Sequence, residues 1–134
     1  MTMLNNVEFR EGLEGLTPTA IATLYRRAPL FRKFKNLDDL WAAYERSSLV
    51  LTAWYQGRLV GVARVMSDGV LFSYLCDLAV EPDVQRLGIG RNLIDEVVNR
   101  CHGTDIVLRD SSGSTSYYPK IGFKKAGNAW VRSA

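Results

Sequence analysis

The stretch from Leu78 to Arg91 constrains the fold more than any other, because it passes from a strand through a glycine-rich turn directly into a helix. The strand ends in Leu78, Ala79 and Val80, and the turn and helix start are Gln85, Arg86, Leu87, Gly88, Ile89, Gly90 and Arg91. Glycines at this spacing let backbone N–H groups converge without an intervening Cβ. A helix start adds unpaired N–H groups and the positive end of the helix dipole. The segment therefore predicts either a purely structural tight turn or a cradle for a phosphate or pyrophosphate, with two arginines at its rim.

Spacing excludes two better-known phosphate-binding loops. The P-loop ends in Gly-Lys-Ser/Thr, and no such tripeptide follows Gly88. The dinucleotide fingerprint requires a third glycine at the opening of the helix, where this chain has Leu93. If the turn binds an anion, it belongs to a fold other than the P-loop and dinucleotide-binding folds.

Hydrophobic patterning predicts an α+β fold built around a mixed sheet. The predicted elements are a strand over 7–11, helices from Thr17-Pro18 and from Leu37, a hairpin over 48–55 and 58–66, a strand over 70–80, a helix over 90–101, a strand over 105–109, a short helix over 114–120 and last strands over 123–125 and 129–132. The strand–helix–strand unit over 70–109 should be a right-handed crossover, so its two strands are predicted to be parallel.

Length and composition narrow the classes of function. The 134 residues suit one domain, and we expect residues 1–134 to form it. The net charge of +3 is modest, and the basic residues are neither dense nor interleaved with aromatic residues expected to be exposed, so no nucleic-acid partner is expected. No apolar run is long enough to span a membrane, and no signal-peptide pattern occurs at the N-terminus. The prediction is a cytoplasmic protein without a membrane partner.

Cysteine and histidine usage predicts neither a disulfide nor a metal site. Cys76 lies in an apolar strand and Cys101 ends an amphipathic helix, so both are predicted to be buried thiols in a reducing compartment. His102 is the single histidine, and no Cys-x-x-Cys occurs. The basic residues at 26–27 and 32–35 form either a solvated loop or a flank of the mouth of an anion site.

A second motif, Tyr117-Tyr118-Pro119-Lys120-Ile121-Gly122-Phe123, lies downstream of the glycine turn. In this order, the Gln-x-x-Gly-x-Gly turn after a Leu-Ala-Val-x-Pro strand and the aromatic-Tyr-x-Lys-aliphatic-Gly-Phe segment resemble the two signatures of the GNAT acyltransferase superfamily. The resemblance covers the chain from about Leu49 to its end. It implies a mixed, mostly antiparallel sheet with a central parallel strand pair splayed at the cofactor cleft, helices on both faces, and acetyl-CoA as co-substrate without a metal.

The resemblance also assigns the cofactor contacts. It implies that the cradle from Gln85 to Arg91 holds the pyrophosphate, and that backbone groups of Leu78 to Val80 pair with the peptide-like pantetheine arm as an added strand would. Ser111 stands where the family often has asparagine, and would reach the arm less far. Pro119 replaces the family's usual glutamate and disfavours helical geometry at Tyr118, so the last helix is predicted to be short or distorted.

Two residues are candidates for proton transfer. The resemblance places Tyr118 as the acid that protonates the leaving thiolate, and the alternative is that it only packs beneath the cofactor. Asp77 is a carboxylate inside an apolar strand, a costly place for a charge. It is a candidate base for the acceptor amine, and the alternatives are an ion pair with Arg64 across the sheet or an exposed edge position.

These observations predict an N-acetyltransferase that moves an acetyl group from acetyl-CoA to a primary amine of a small molecule by direct attack in a ternary complex. The alternatives are a protein lysine or N-terminal acetyltransferase and an acyl-CoA-binding module without catalysis. Four aromatic residues are candidates either for an acceptor pocket or for the core: Phe31, Trp41, Tyr44 and Trp54. Short last strands would leave an open sheet edge, which predicts a possible homodimer.

Overall fold

The computed structural model describes residues 2–110 and 117–134, and for residues 2–4 it describes the backbone alone. The elements are β1 (Thr2–Leu4), β2 (Val7–Glu11), α1 (Pro18–Arg27), α2 (Leu37–Glu45), β3 (Leu49–Tyr55), β4 (Arg58–Ser67), β5 (Phe72–Val80), a 3₁₀ helix (Pro82–Leu87), α3 (Ile89–Arg100), β6 (Asp105–Leu108) and α4 (Tyr117–Lys120). The α+β class and the order of the predicted elements up to α4 are confirmed, and β1 is an addition to them.

One six-stranded sheet runs in chain order from β1 to β6. Its first five strands are antiparallel, and β6 is parallel to β5, as the crossover through α3 requires. Pairing of β5 with β6 begins at Phe72 and ends at Leu75 opposite Leu108, although β5 continues to Val80. The parallel strands therefore separate over the second half of β5.

Helices cover both faces of the sheet. On β3, Leu51 and Ala53 pack in a core with α3, whereas Val50 and Trp54 pack in a second core with α1 and α2. Alternate strand residues point to opposite faces, so the two cores lie on opposite sides of the sheet. The predicted layering is confirmed.

Local chemistry accounts for the helix starts. Thr17 caps α1 as predicted, with its hydroxyl accepting from the Ala20 amide at 3.1 Å, and Pro18 occupies the first helical position. Asn36 caps α2 through the Asp39 amide at 2.8 Å. Strand β5 starts later than predicted, because the Asp68 carboxylate accepts from the amides of residues 70–72 and holds them in a turn.

The predicted strands over 123–125 and 129–132 are wrong. Residues 124–134 are irregular and exposed, so they bury no apolar surface that would offset the entropy cost of ordering them. The parallel pair consequently lies at the edge of the described sheet, with β6 outermost, rather than at its centre. The homodimer, which rested on these strands, stays a prediction.

Candidate active site

A cleft of about 610 Å³ opens where β5 and β6 separate. The second half of β5, the turn before α3, the end of β6, α4 and the connection between α1 and α2 form its walls. Two segments predicted from sequence to bind a cofactor, 78–80 and 85–91, both contribute residues to it. The structure thus brings the candidate residues of the first motif and Tyr118 of the second to one place.

The backbone of β5 has an open edge inside this cleft. Leu78, Ala79 and Val80 pair with β4 on one side, but β6 pairs with β5 only as far as Leu75. A register shift opposite Arg64 and Val65 leaves Cys76 as a bulge at the point of separation. An extended, amide-bearing ligand has room to pair along this edge.

The glycine turn is a 3₁₀ segment that ends in Gly88, at φ +78°, and leads into α3 at Ile89. The Gly88 amide donates to the Gln85 carbonyl at 3.1 Å, so it is already used within the turn. The next three amides, of Ile89, Gly90 and Arg91, are the first of α3 and have no acceptor within the helix. Within the predicted cradle from Gln85 to Arg91, the amides that remain available to an anion are therefore these three.

The two glycines of the turn serve different purposes. Gly88 needs its left-handed backbone, which side chains disfavour. Gly90 has no such need, since among the described residues a Cβ there would meet only Val80 Cγ2, at an ordinary 3.6 Å. Protein packing therefore does not require glycine at position 90. The missing side chain keeps space open beside the free amides, which favours an anion cradle over a purely structural turn.

The side chains around the cradle differ in what they can contribute. Gln85 Nε2 donates to the Val80 carbonyl at 3.4 Å, tying the turn to the end of β5. Ile89 is fully buried and Leu87 packs against the core, so they offer backbone groups only. Arg91 lines the cleft and makes only a long, exposed contact to Asp95 at 3.8 Å, whereas Arg86 is exposed outside the cleft lining.

Tyr118 and Tyr117 lie side by side in α4 and both line the cleft. The Tyr118 ring contacts the Phe123 ring edge-on, with 5.8 Å between the ring centroids. Burial raises the pKa of the Tyr118 hydroxyl, and the negative charge of Asp110 raises it by a smaller amount. Tyr117 packs against the core, and its buried hydroxyl finds no hydrogen-bond partner among the described residues. Over the described part, α4 has a single turn, in line with the effect expected of Pro119. Ser111 lies outside the described residues.

Asp77 lies beneath the cleft with its side chain fully buried. Its Oδ2 accepts from Arg64 Nε at 2.7 Å and from the Tyr25 hydroxyl at 3.0 Å, and its Oδ1 accepts from Arg32 Nε at 2.7 Å. The ion pair with Arg64, one of the alternatives for Asp77, is thus formed, and the exposed edge position is wrong. With both oxygens engaged and no exposed surface, this geometry does not support Asp77 as the base.

Arg32 is a candidate site residue that the sequence interpretation did not single out. It belongs to the basic residues at 32–35, and of the two alternatives for them, Arg32 takes the flank of the site mouth, because it lines the cleft. Its Nη2 also donates to the Cys76 carbonyl at 2.8 Å. Nothing in the local sequence distinguishes Arg32 from Lys33 or Lys35, since its partners lie in β5, more than forty residues away.

Of the two alternatives for the four aromatic residues, core packing is confirmed for three. Tyr44 and Trp54 are buried in the core on the α1–α2 face, and Trp41 packs against that core. Phe31 alone of the four lines the cleft, with its side chain exposed. The other three pack in the core against the sheet.

The two cysteines differ in their surroundings. Both cysteines are free; Cys101 is buried as predicted, whereas Cys76 is half-buried in the cleft, where burial raises the pKa of its thiol. Residues 2–110 and 117–134 contain no group of three or more His, Cys, Asp or Glu side chains placed to hold a metal ion. No helix in these ranges has the length and apolar character that crossing a bilayer requires.

Comparison with known proteins places these features in a family context. A model of the acetyltransferase (GNAT) domain matches residues 20–133. Serotonin N-acetyltransferase 2 of Oryza sativa subsp. japonica is 29% identical over 124 residues, which are 85% of this chain and 60% of that protein. The uncharacterized N-acetyltransferase ycf52 of Pyropia yezoensis is 29% identical over 98 residues, covering 68% of this chain and 56% of the relative. The chain thus spans somewhat more than half the length of these relatives.

Solved structures show the same fold. A GNAT-family protein from Xanthomonas campestris pv. campestris superimposes with a TM-score of 0.84 at 24% identity, over 98% of this chain and 96% of that one. A GNAT-family acetyltransferase from Streptococcus pneumoniae TIGR4 superimposes with a TM-score of 0.76 at 23% identity, over 96% and 99% of the two chains. At these identities the likeness concerns the fold.

Proposed function

Because this chain belongs to the GNAT family of acetyltransferases, we propose that it transfers an acetyl group from acetyl-CoA to the primary amine of a small molecule within a ternary complex. The observation that carries the proposal is the pairing, in one cleft, of an open strand edge with free helix amides beside Gly90. These are the two kinds of group that a peptide-like arm and a pyrophosphate require.

The residues present fit acetyl-CoA. The amides of Ile89, Gly90 and Arg91 would hold the pyrophosphate, and the Arg91 guanidinium would add charge at its rim. The open edge at Leu78 to Val80 would pair with the pantetheine arm. Acetyl-CoA supplies the acetyl group as an activated thioester, and free amides at the strand separation would polarise its carbonyl.

In the proposed transfer, one bond to the carbonyl carbon of the acetyl group forms and another breaks. The neutral amine nitrogen attacks the thioester carbon, a C–N bond forms, and the C–S bond breaks. Tyr118 donates its phenolic proton to the departing thiolate. A phenol is protonated at neutral pH, and burial raises the pKa of this one further. Asp77 has no exposed surface, so we propose that water takes the proton that the amine loses, and that Asp77 anchors Arg32.

One observation favours a small-molecule acceptor. The relative from rice is named for serotonin, a small primary amine. The alternatives are acetylation of a protein lysine or N-terminus and acyl-CoA binding without turnover.

The test is release of free thiol from acetyl-CoA in the presence of a panel of primary amines, with peptide amines as a parallel set, together with calorimetric binding of acetyl-CoA. We expect micromolar to millimolar binding and thiol release that depends on a small amine. Turnover of peptides alone would establish the first alternative, and binding without any turnover the second. Absence of acetyl-CoA binding would overturn the proposal.

A further inference from the structure

The charges beneath the cleft do not balance. Asp77 is the single carboxylate shared by two guanidinium groups, Arg32 and Arg64. Tyr25 and Tyr44, whose hydroxyls are hydrogen-bonded to each other beside Asp77, add no negative charge, because burial raises the pKa of both phenols. The cluster therefore carries one positive charge in excess in a partly buried place, where an unpaired charge is costly.

The excess charge faces the cleft through Arg32. The Arg64 side chain is 12% exposed and lies across the sheet, whereas the Arg32 side chain is 34% exposed and lines the cleft. The contacts of Arg32 with the described residues use Nε and Nη2, and none of them uses Nη1. Within residues 2–110 and 117–134, the guanidinium is thus held by Asp77 and the Cys76 carbonyl while part of its donor fork is left for another partner.

The position of Arg32 separates it from the pyrophosphate cradle. Its two anchors, Cys76 and Asp77, lie where β5 leaves β6, just beyond the last paired residue, Leu75. The cradle follows Val80, four residues further along the strand, or roughly 13 Å away at about 3.3 Å per residue. If the arm of acetyl-CoA lies along residues 78–80, the reacting end reaches the strand separation, and Arg32 stands beside that end.

From this placement we infer that Arg32 determines acceptor specificity by binding a carboxylate on the acceptor, so that the substrates are primary amines that also carry a carboxylate. The inference rests on the proposed function. A carboxylate would neutralise the excess charge and accept from the free part of the Arg32 fork. The described lining of the cleft fits an anionic acceptor, with three arginines, Arg32, Arg91 and Arg109, against one acidic residue, Asp110.

The experiment compares acceptors that differ only in the carboxylate. Tryptophan is paired with tryptamine and phenylalanine with phenethylamine, and kcat/KM is measured for each at saturating acetyl-CoA. We expect the wild-type protein to favour the amino acid of each pair by at least tenfold. Arg32→Gln should abolish this preference while the KM for acetyl-CoA is unchanged, and Arg32→Lys should restore part of it. Arg46→Gln, which removes an exposed arginine from the end of α2, should leave the preference unchanged.

Five results would overturn the inference. Equal or better use of the decarboxylated amines, or a preference that survives Arg32→Gln, removes the assigned role while leaving the proposed function intact. An Arg32-dependent preference for succinyl-CoA over acetyl-CoA would mean that Arg32 contacts the acyl donor instead. Failure of acetyl-CoA to bind would remove the proposed function and this inference together. If turnover is slow, the affinities of tryptophan and tryptamine for the CoA-saturated protein are measured by calorimetry instead. Tighter binding of tryptophan is expected, and equal affinities overturn the inference.

Discussion

Gly61 and Ile89 are in such close contact that a Cβ on Gly61 would lie 2.9 Å from Ile89 Cγ2. Ile89 is the first residue of α3, so the glycine in β4 sets how near the start of α3 lies to the sheet. The free amides that we propose as the pyrophosphate cradle belong to this same turn of helix. Sheet packing at Gly61 therefore positions the turn of helix that carries the proposed cradle.

Gly61→Ala should both destabilise the protein and weaken acetyl-CoA binding. The added methyl group also approaches Leu93 Cδ1 and Ala53 Cβ within 3.2 Å, so α3 must move outward. Overpacking of this kind costs about 1–3 kcal/mol in the free energy of unfolding. Urea denaturation and calorimetry measure the two effects. Gly127→Ala, at a position with no atom near the new Cβ, is the control and should change neither.

Gly90→Asp should abolish acetyl-CoA binding without unfolding the protein. The position has room for a Cβ, so the fold tolerates the change, but the carboxylate would fill the cradle and repel a pyrophosphate. Calorimetry with the folded variant measures the loss. Gly127→Asp adds the same charge outside the cleft and should bind normally. Wild-type affinity in folded Gly90→Asp would show that the cradle is only a structural turn.

Tyr118→Phe should lower kcat by at least about tenfold and leave the affinity for acetyl-CoA unchanged, because the hydroxyl acts as the thiolate departs. Burial raises the pKa of Tyr118 above its usual value of 10.0, so the phenol stays protonated at neutral pH and the loss of kcat from its ionisation lies above pH 10. That alkaline loss should be missing in the variant. Steady-state kinetics across pH provide both measurements.

Tyr117→Phe is the matched control for the neighbouring ring. It removes a buried hydroxyl that has no partner in the described structure, so stability should be equal or slightly higher. We expect it to keep most of kcat. If Tyr118→Phe retains full kcat while Tyr117→Phe loses it, the acid is Tyr117.

Asp77→Asn should destabilise the protein by about 3–5 kcal/mol, since it leaves two guanidinium groups around a neutral amide. If Asp77 anchors Arg32, the folded fraction will show a raised acceptor KM with an unchanged pH profile of kcat/KM. If Asp77 is the base, as predicted from sequence, the basic side of that profile will shift instead. Arg32→Gln provides the comparison, because it should raise the acceptor KM without touching a base.

What the sequence by itself determined is local. The Thr17 cap, the glycine turn into α3, the crossover that makes β5 and β6 parallel and the placement of Tyr118 all depend on neighbouring residues or on a chirality rule, and the structure agrees with the elements these features predict. The family resemblance rests on those same segments. Over residues 123–132 the alternating pattern predicted strands, but most of these residues do not pack against the core, and the predicted strands were wrong.

Only the tertiary structure decided what surrounds the reacting end of the cleft. Arg32 lies 45 residues before Asp77 in the chain and meets it because the connection after α1 lies across β5. The point at which β5 leaves β6, and with it the open strand edge, is likewise set by pairing between distant strands. Such contacts depend on which surfaces the packed helices and sheet bring together, and no periodicity or short motif encodes that.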